Sequence, residues 1–538
     1  MTNYTAEVKS LIDDLKAICV SWGMSWSAHE YEIITQSFLY KFLNDKFLYE
    51  VTKRWYWETY DDLKKLSEDD YNKMLSFEIW NAAAHFKPEH LLSYLFNHQS
   101  DKDFSLLFDD TLNDIAVLNN DLFSVHTDDF TDVRLFSEHL IWDAVTWWQS
   151  KKDWVASSII NRLAKFKLDF NTIFSSGFDF FSDIFEYMIS DYNKDSGKYA
   201  EYYTPHSVAK IIAEILVWDD NVSNVNICDP AAWSWTLLMN LASVIWTDNC
   251  TVYSQDISQK SSNLLRLNLI LNWLTHSINN ITQWNTILSD AHAWVDMDYI
   301  VSNPPFKLDF SERRDQAEAL PNANTRFFAW VPTIPWKKKE SMAIYLLFIQ
   351  HIMNALWDKW KAAIVVPTWF ITAQSWIEKK IREKITNNKW LKWVVSMPSN
   401  IFANTWTNVS VIFIDKEWKD DKALLVDASN LWEKLKLDWK NQKTVLSPEE
   451  EQKIIDTFRN KEEIEDFSKL VSFDDIKEKN CSRSAWQYFD VKIEYIDITQ
   501  EEYEEMIDNF NKDFDTYVEE TKHFQADIKD ALKDLKIN

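Results

Sequence analysis

Glycine is nearly missing from this chain, at 3 of 538 residues, where about 7% would be ordinary. Proline is sparse too, at 11, and cysteine stops at 4. The cysteines (Cys19, Cys228, Cys250 and Cys481) lie far apart, with no CxxC pair and no histidine partner nearby. That excludes a disulfide framework and a zinc site, and it fits a reducing cytoplasm. No apolar run approaches the roughly 18 residues that span a bilayer. The N-terminus has no basic segment leading into an apolar one, so a secretory signal is not expected either. Basic charge is also in deficit: 57 Lys and Arg stand against 84 Asp and Glu, a net charge of -27. A protein that grips nucleic acid unaided shows a basic footprint. Any such contact here is small and local, or a partner supplies most of it; otherwise the acidity serves solubility.

Tryptophan, by contrast, is abundant at 29 residues. Glycine and tryptophan together make up about the share that glycine alone takes in an average protein. The tryptophans also sit where turn chemistry asks for glycine, as in ALWDKWKAA, VPTWF and AAWSWTLL. An indole is a poor choice where the backbone must adopt positive φ or approach a ligand closely. The pattern suggests UGA codons that the source organism reads as glycine. Mass spectrometry of native peptides across Trp233 and Trp235 tests this, and indole mass at both positions would end the idea.

Hydrophobic content of 46% and charged content of 26% are those of an ordinary globular protein. Three regions follow from the patterning. Residues 1–170 read as a helical domain, with apolar residues three and four apart in HEYEIITQSFLYKFLNDKFLYEV. Residues 171–430 alternate short apolar strands (225–230, 251–257, 298–306, 362–367, 391–398, 409–415) with helices such as KSSNLLRLNLILNWL. Strands apolar on both faces predict an α/β fold with a parallel, doubly wound, Rossmann-like sheet. Residues 431–538 read as a polar helical region, with SPEEEQKIIDTFRN as a capped helix. Its tail carries apolar residues at 4-3 spacing from Tyr503 through Ile507, Phe510, Phe514, Tyr517, Phe524 and Ile528 to Leu535. That predicts a coiled-coil-like helix docking on a partner, or an intramolecular hairpin.

Chemistry concentrates in four short stretches. Asn303, Pro304, Pro305 and Phe306 close a predicted strand, where open parallel sheets bind ligands. Two prolines fix the backbone and remove two N–H donors. The Asn303 side-chain oxygen and the Pro304 carbonyl can then accept both hydrogens of an amino group, keeping its lone pair aimed at a methyl donor, while Phe306 stacks on the base. A base within duplex DNA must be flipped out to reach such a loop. Upstream, Asp229, Pro230, Ala231, Trp233, Ser234 and Trp235 follow the first strand. With both indoles read as glycine this is DPAAGSG, a turn that lets backbone approach S-adenosylmethionine. Asp256, one strand on, can bind both ribose hydroxyls or simply cap its strand end. Asn285 can contact the cofactor adenine, although Asp is commoner there. Earlier still, Glu201, Tyr202, Tyr203, Thr204, Pro205 and His206 precede a helix. Thr204 can N-cap that helix with Pro205 at its first position, or the loop can lie against the methionine end of the cofactor. His206 has no partner at metal-ligand spacing, so no metal is expected.

The order YTP, DPAxGSG, acidic residue, NPPF resembles the γ-class amino-methyltransferases of DNA. The wider run resembles the methylation subunits of type I restriction–modification systems. It includes EYEIITQSFLYKFLNDKF, DIFEYMI with EYYTP, RFFAWVP, VVPTWFI with IEKKIREKI, VVSMPSNIFANTWTNVSVIFIDK, VDASN and LSPEEEQKIIDTFRN, over most of residues 30–495. The resemblance implies an S-adenosylmethionine-dependent methyltransferase acting on adenine N6 in DNA by direct in-line transfer. It also implies a separate specificity subunit that reads the sequence, typically with two methylation subunits, and a restriction subunit that can join them. The tail is the expected contact with the specificity subunit. A stand-alone adenine methylase is the alternative, as is an inactive scaffold if the indoles are literal and block the cofactor pocket. Trp233, Trp235 and Trp330 at glycine places, with Asn285, are the departures from the family pattern.

Overall fold

The computed structural model describes residues 3–534, apart from 25–27, 55–59, 80–82, parts of 121–147, 177–183, 185–186, 188–203, 219–221, Ser234, Trp273, 358–359, 403–407, Trp432, 437–441 and 491–498. Glu201, Tyr202, Tyr203 and Ser234, all singled out above, therefore lie outside the described residues. Two units divide the chain, Met1–Tyr488 and Phe489–Asn538.

The first unit begins with helices, among them Asn3–Ser21, Ala28–Lys53, Phe104–Leu118 and Gln149–Ala164. Ala28–Lys53 is central and buries polar as well as apolar side chains. Lys41 and Lys46 pair along the helix with Asp45 and Glu50, each at 2.7 Å. Asn44 accepts from the backbone N–H of Leu92 and Asp45 from that of Leu168, both at 2.9 Å. The buried polar residues thus tie down chain segments that have no ladder of their own. One apolar core runs from these helices into the sheet.

That sheet has nine strands: β1 Val225–Asp229, β2 Cys250–Gln255, β3 Ile281–Thr282, β4 Tyr299–Ser302, β5 Lys361–Pro367, β6 Leu391–Ser396, β7 Val409–Asp415, β8 Lys422–Asp427 and β9 Ser468–Ser472. Their order is β9-β8-β6-β7-β5-β4-β1-β2-β3. Strands β1 to β5 are mutually parallel. Chain order turns back between β1 and β4, which creates a switch point, the crevice where open α/β sheets bind ligands. β6 and β7 are buried throughout, so both faces of the sheet are covered.

The expectation of a parallel sheet needs correction on one side. β7 runs antiparallel to both β5 and β6, and β9 is antiparallel to β8. Residues 397–408 join β6 to β7 and hold no helix among those described, whereas a parallel return needs a longer crossover. Beyond residue 431 the chain forms the helix Pro448–Asn460, closed at its start by a capping box between Ser447 and Glu450. It also supplies β9, which its polar sequence did not announce. In the second unit, Gln500–Asp534 is one helix. Tyr503, Phe510, Phe514, Tyr517, Phe524 and Ile528 on it are exposed.

Two tryptophans hold conformations that suit glycine: Trp246 has φ 76° and ψ 127° at the end of helix Thr236–Ile245, and Trp330 has φ 90°. Trp336 and Trp294 stand 96% and 86% exposed, so their indoles gain little from burial. Among the described residues no helix is long and apolar enough to cross a membrane, and no cluster of side chains could hold a metal. All four cysteines are free and buried.

Candidate active site

The switch point brings the chemically distinctive stretches together. β1 ends at Asp229, which is buried. Its Oδ1 accepts from the Ala231 backbone N–H at 2.9 Å and from the Ser302 hydroxyl at 2.8 Å. Ser302 is the last residue of β4, so this bond joins the turn after β1 to the loop that opens with Asn303. Burial, reinforced by the charge of Asp256, pushes the Asp229 carboxyl up to about 7.

The neighbouring strand ends are tied in the same way. The Ala232 N–H donates to the Gln255 carbonyl at 3.3 Å. Thr286 donates its hydroxyl to the Pro230 carbonyl at 2.6 Å. Arg326, buried, donates to the carbonyls of Ile287 and Thr286 at 3.0 and 2.5 Å. A guanidinium therefore holds the 285–288 turn from behind.

Between these loops lies a cavity of about 420 Å³, within the range of roughly 300–1,000 Å³ usual for small-molecule sites. Pro230, Ala231, Asp256, Asn285 and Pro305 line it, all five among the residues singled out in the sequence. Asp256 Oδ1 accepts from the Ser258 N–H at 2.6 Å, and no bond to its other oxygen is made by the described residues. Burial pushes this carboxyl up to about 7, so hydroxyl donors from a ligand would stabilise its charged form. The Asn285 side-chain oxygen is committed to the N–H groups of Ile287 and Leu288, at 3.1 and 3.2 Å. Its amide nitrogen is left to face a ligand acceptor.

Sequence reasoning missed several lining residues: Ile257, Ile287, Leu308, Phe310, Arg313 and Phe348. Ile257 directly follows Asp256, and Ile287 stands two places after Asn285. An apolar residue beside each polar candidate was a usable signal. Phe310 and Phe348 belong to a small apolar core shared with Phe327, Val331 and Met342, and nothing local marks them.

Trp233 and Trp235 do not line the cavity. Trp235 is buried in the main core. Of the two readings of Thr204, the N-cap is not the one the helix shows. The helix His206–Leu216 takes Pro205 as N-cap, with no side-chain cap bond. Thr204 is fully buried, and its hydroxyl accepts from Asn303 Nδ2 at 3.0 Å. His206 opens that helix. Asn303 is 8% exposed, and its carboxamide oxygen takes no hydrogen bond from the described residues. Phe306 meets Tyr345 edge-on at 6.2 Å, and Tyr345 meets Phe370 at 5.9 Å.

Comparison with known proteins adds relatives. A family profile described as N-6 DNA Methylase matches residues 176–495. The methylase subunit of the type I restriction enzyme MpnII from Mycoplasma pneumoniae is 28% identical over 374 residues, covering 67% of this chain and 65% of that protein. The MjaIX methylase subunit from Methanocaldococcus jannaschii is 26% identical over 377 residues, covering 66% and 63%. The matches thus reach just under two thirds of these relatives' own length. Among solved structures, the type I restriction-modification system methyltransferase subunit from Streptococcus thermophilus superposes with a TM-score of 0.72 at 20% identity, covering 90% of this chain and all of that one. A chain from a type I R-M system superposes at 0.52 with 13% identity over the full length of both. These two likenesses concern the fold.

Proposed function

Because this chain belongs to the N-6 DNA methylase family, we propose that it methylates adenine N6 in DNA as the modification subunit of a type I restriction–modification complex, using S-adenosylmethionine. One observation carries the reading. The loop 303–306 and the turn after β1 meet at a single switch point, with Pro230 and Pro305 on the same cavity and Ser302 bonded to Asp229.

The residues present fit the cofactor. Asp256 keeps one oxygen without a donor among the described residues, as a ribose diol requires, and Asn285 offers an amide nitrogen to an adenine ring. Bound there, S-adenosylmethionine supplies a methyl group on an electrophilic sulfonium. The protein's part is positioning and charge stabilisation. Asn303 Oδ1 and the Pro304 carbonyl accept the hydrogens of the target amine and hold its lone pair toward the methyl. Phe306, backed by Tyr345, stacks on the base. No side chain forms a covalent bond to the substrate.

DNA contact is local in this reading. Leu308 N–H donates to the Met342 carbonyl at 3.2 Å, which ties the cavity wall to the segment carrying Lys337, Lys338 and Lys339. Lys337 and Lys338 have no carboxylate partner among the described residues. With Arg313, which lines the cavity, they are basic groups that phosphates could use on an otherwise acidic protein. Sequence reading then falls to a specificity subunit, which the exposed apolar row on Gln500–Asp534 would grip, with two methylation subunits per complex. A chain truncated before residue 500 should lose that partner; retention of the partner would refute the assignment of the tail.

Transfer of tritiated methyl groups to DNA tests the activity. The expected product, after nucleoside digestion, is N6-methyladenine. Label recovered in protein, or on cytosine, would refute the reading.

A further inference from the structure

We propose that Thr204 is a positioning residue that holds the nitrogen end of the Asn303 carboxamide, so that the oxygen end is presented to the target amine. The inference rests on the function proposed above and goes one residue deeper.

Thr204 stands before Pro205 at a helix entrance, where a threonine ordinarily bonds to the free backbone N–H groups of the first turn. The helix takes Pro205 as its N-cap, with no side-chain cap bond. The hydroxyl is instead turned toward a residue 99 positions away and accepts from Asn303 Nδ2 at 3.0 Å, with both side chains buried. Ser302, the preceding residue, is pinned to Asp229. Asn303 is thus held by its backbone neighbour on one side and by its amide nitrogen on the other. Its Oδ1 takes no hydrogen bond from the described residues.

The chemistry gives this a purpose. A carboxamide turned half around its Cβ–Cγ bond exchanges acceptor for donor, and an N–H aimed at an amine cannot accept the hydrogens that must be drawn away from it. The Thr204 hydroxyl accepts one hydrogen of the nitrogen end, at 3.0 Å, which fixes the plane of the group and leaves the oxygen for the target's N–H bonds. Thr204 is absent from the cavity lining. Its effect is therefore expected on transfer and not on cofactor affinity.

The test uses the full chain, tagged and isolated with its bound partners from its native cells. The probe is genomic DNA from a strain lacking the chain, with tritiated S-adenosylmethionine under single-turnover conditions. Thr204→Val should slow methyl transfer on the order of 10- to 100-fold, as expected when a reacting group loses its alignment. Affinity for S-adenosylhomocysteine, measured by calorimetry, should stay within about twofold, and Thr204→Ser should restore the rate to within about threefold of the parent. Three results would overturn the assignment: a Val variant as fast as the parent, a Ser variant as slow as Val, or a loss of cofactor affinity matching the loss of rate. A parent complex that transfers no methyl to DNA would instead defeat the function proposed above.

Discussion

Two buried charges, one beside each half of the nine-stranded sheet, are met in opposite ways. On the β1–β5 side, Asp256 sits at a strand end on the wall of a cavity, with one oxygen bonded to the Ser258 N–H and the other unbonded by the described residues. On the β6–β9 side, Arg382 is fully buried and donates to the carbonyls of Phe370 at 2.7 Å and Cys481 at 3.0 Å, and also to that of Ala373. Arg382 has its bonds filled by its own chain and serves the fold; Asp256 is half-filled and waits for a ligand. Burial of a charge does not by itself mark a site. An unfilled bond facing a cavity does.

The contrast is sharpest when broken on the site side. Asn303→Ala should cut methyl transfer by about a thousandfold or more while cofactor affinity holds, since it removes an acceptor that matters at the transition state; single-turnover rates with parallel calorimetry measure both. On the other half, Arg382→Ala should leave cofactor affinity untouched but strip donors from three buried carbonyls. The cost is about 3 kcal/mol of stability, visible as a lower urea midpoint.

Asp256→Asn should have the next largest effect, weakening S-adenosylhomocysteine binding by about tenfold. The pH dependence is equally diagnostic. The carboxyl, raised to about 7 by burial, is protonated below that pH and must ionise to accept two hydroxyls. Affinity should therefore fall as pH drops below about 7 in the parent and stay flat in Asp256→Asn. Smallest is Trp246→Gly, away from both halves' chemistry. It should raise stability by about 1 kcal/mol, because φ 76° strains any residue with a Cβ. Native peptide mass spectrometry would show whether glycine already stands there.

Much of the near half was legible in the sequence because a parallel sheet gathers its loops at one edge. Once β1, β2 and β4 were recognised by their apolar runs, Asp229, Asp256 and Asn303 had to stand close together. What escaped was set by tertiary contact. Arg326 acts through backbone carbonyls 39 and 40 residues away, and Thr204 through a side chain 99 away, which local pattern does not encode. The antiparallel turn of β7 was hidden for another reason: its residues are as apolar as those of its parallel neighbours, and only the short connection from β6 decides its direction. β9 is short and polar, and its pairing depends on the edge that β8 offers.

The most direct test of the account is a crystal structure of the full chain with S-adenosylhomocysteine. The account predicts the ligand in the cavity between Pro230 and Pro305, its ribose hydroxyls on Asp256 and its sulfur turned toward Asn303. A ligand bound elsewhere, or in the cavity with its ribose away from Asp256, would contradict it.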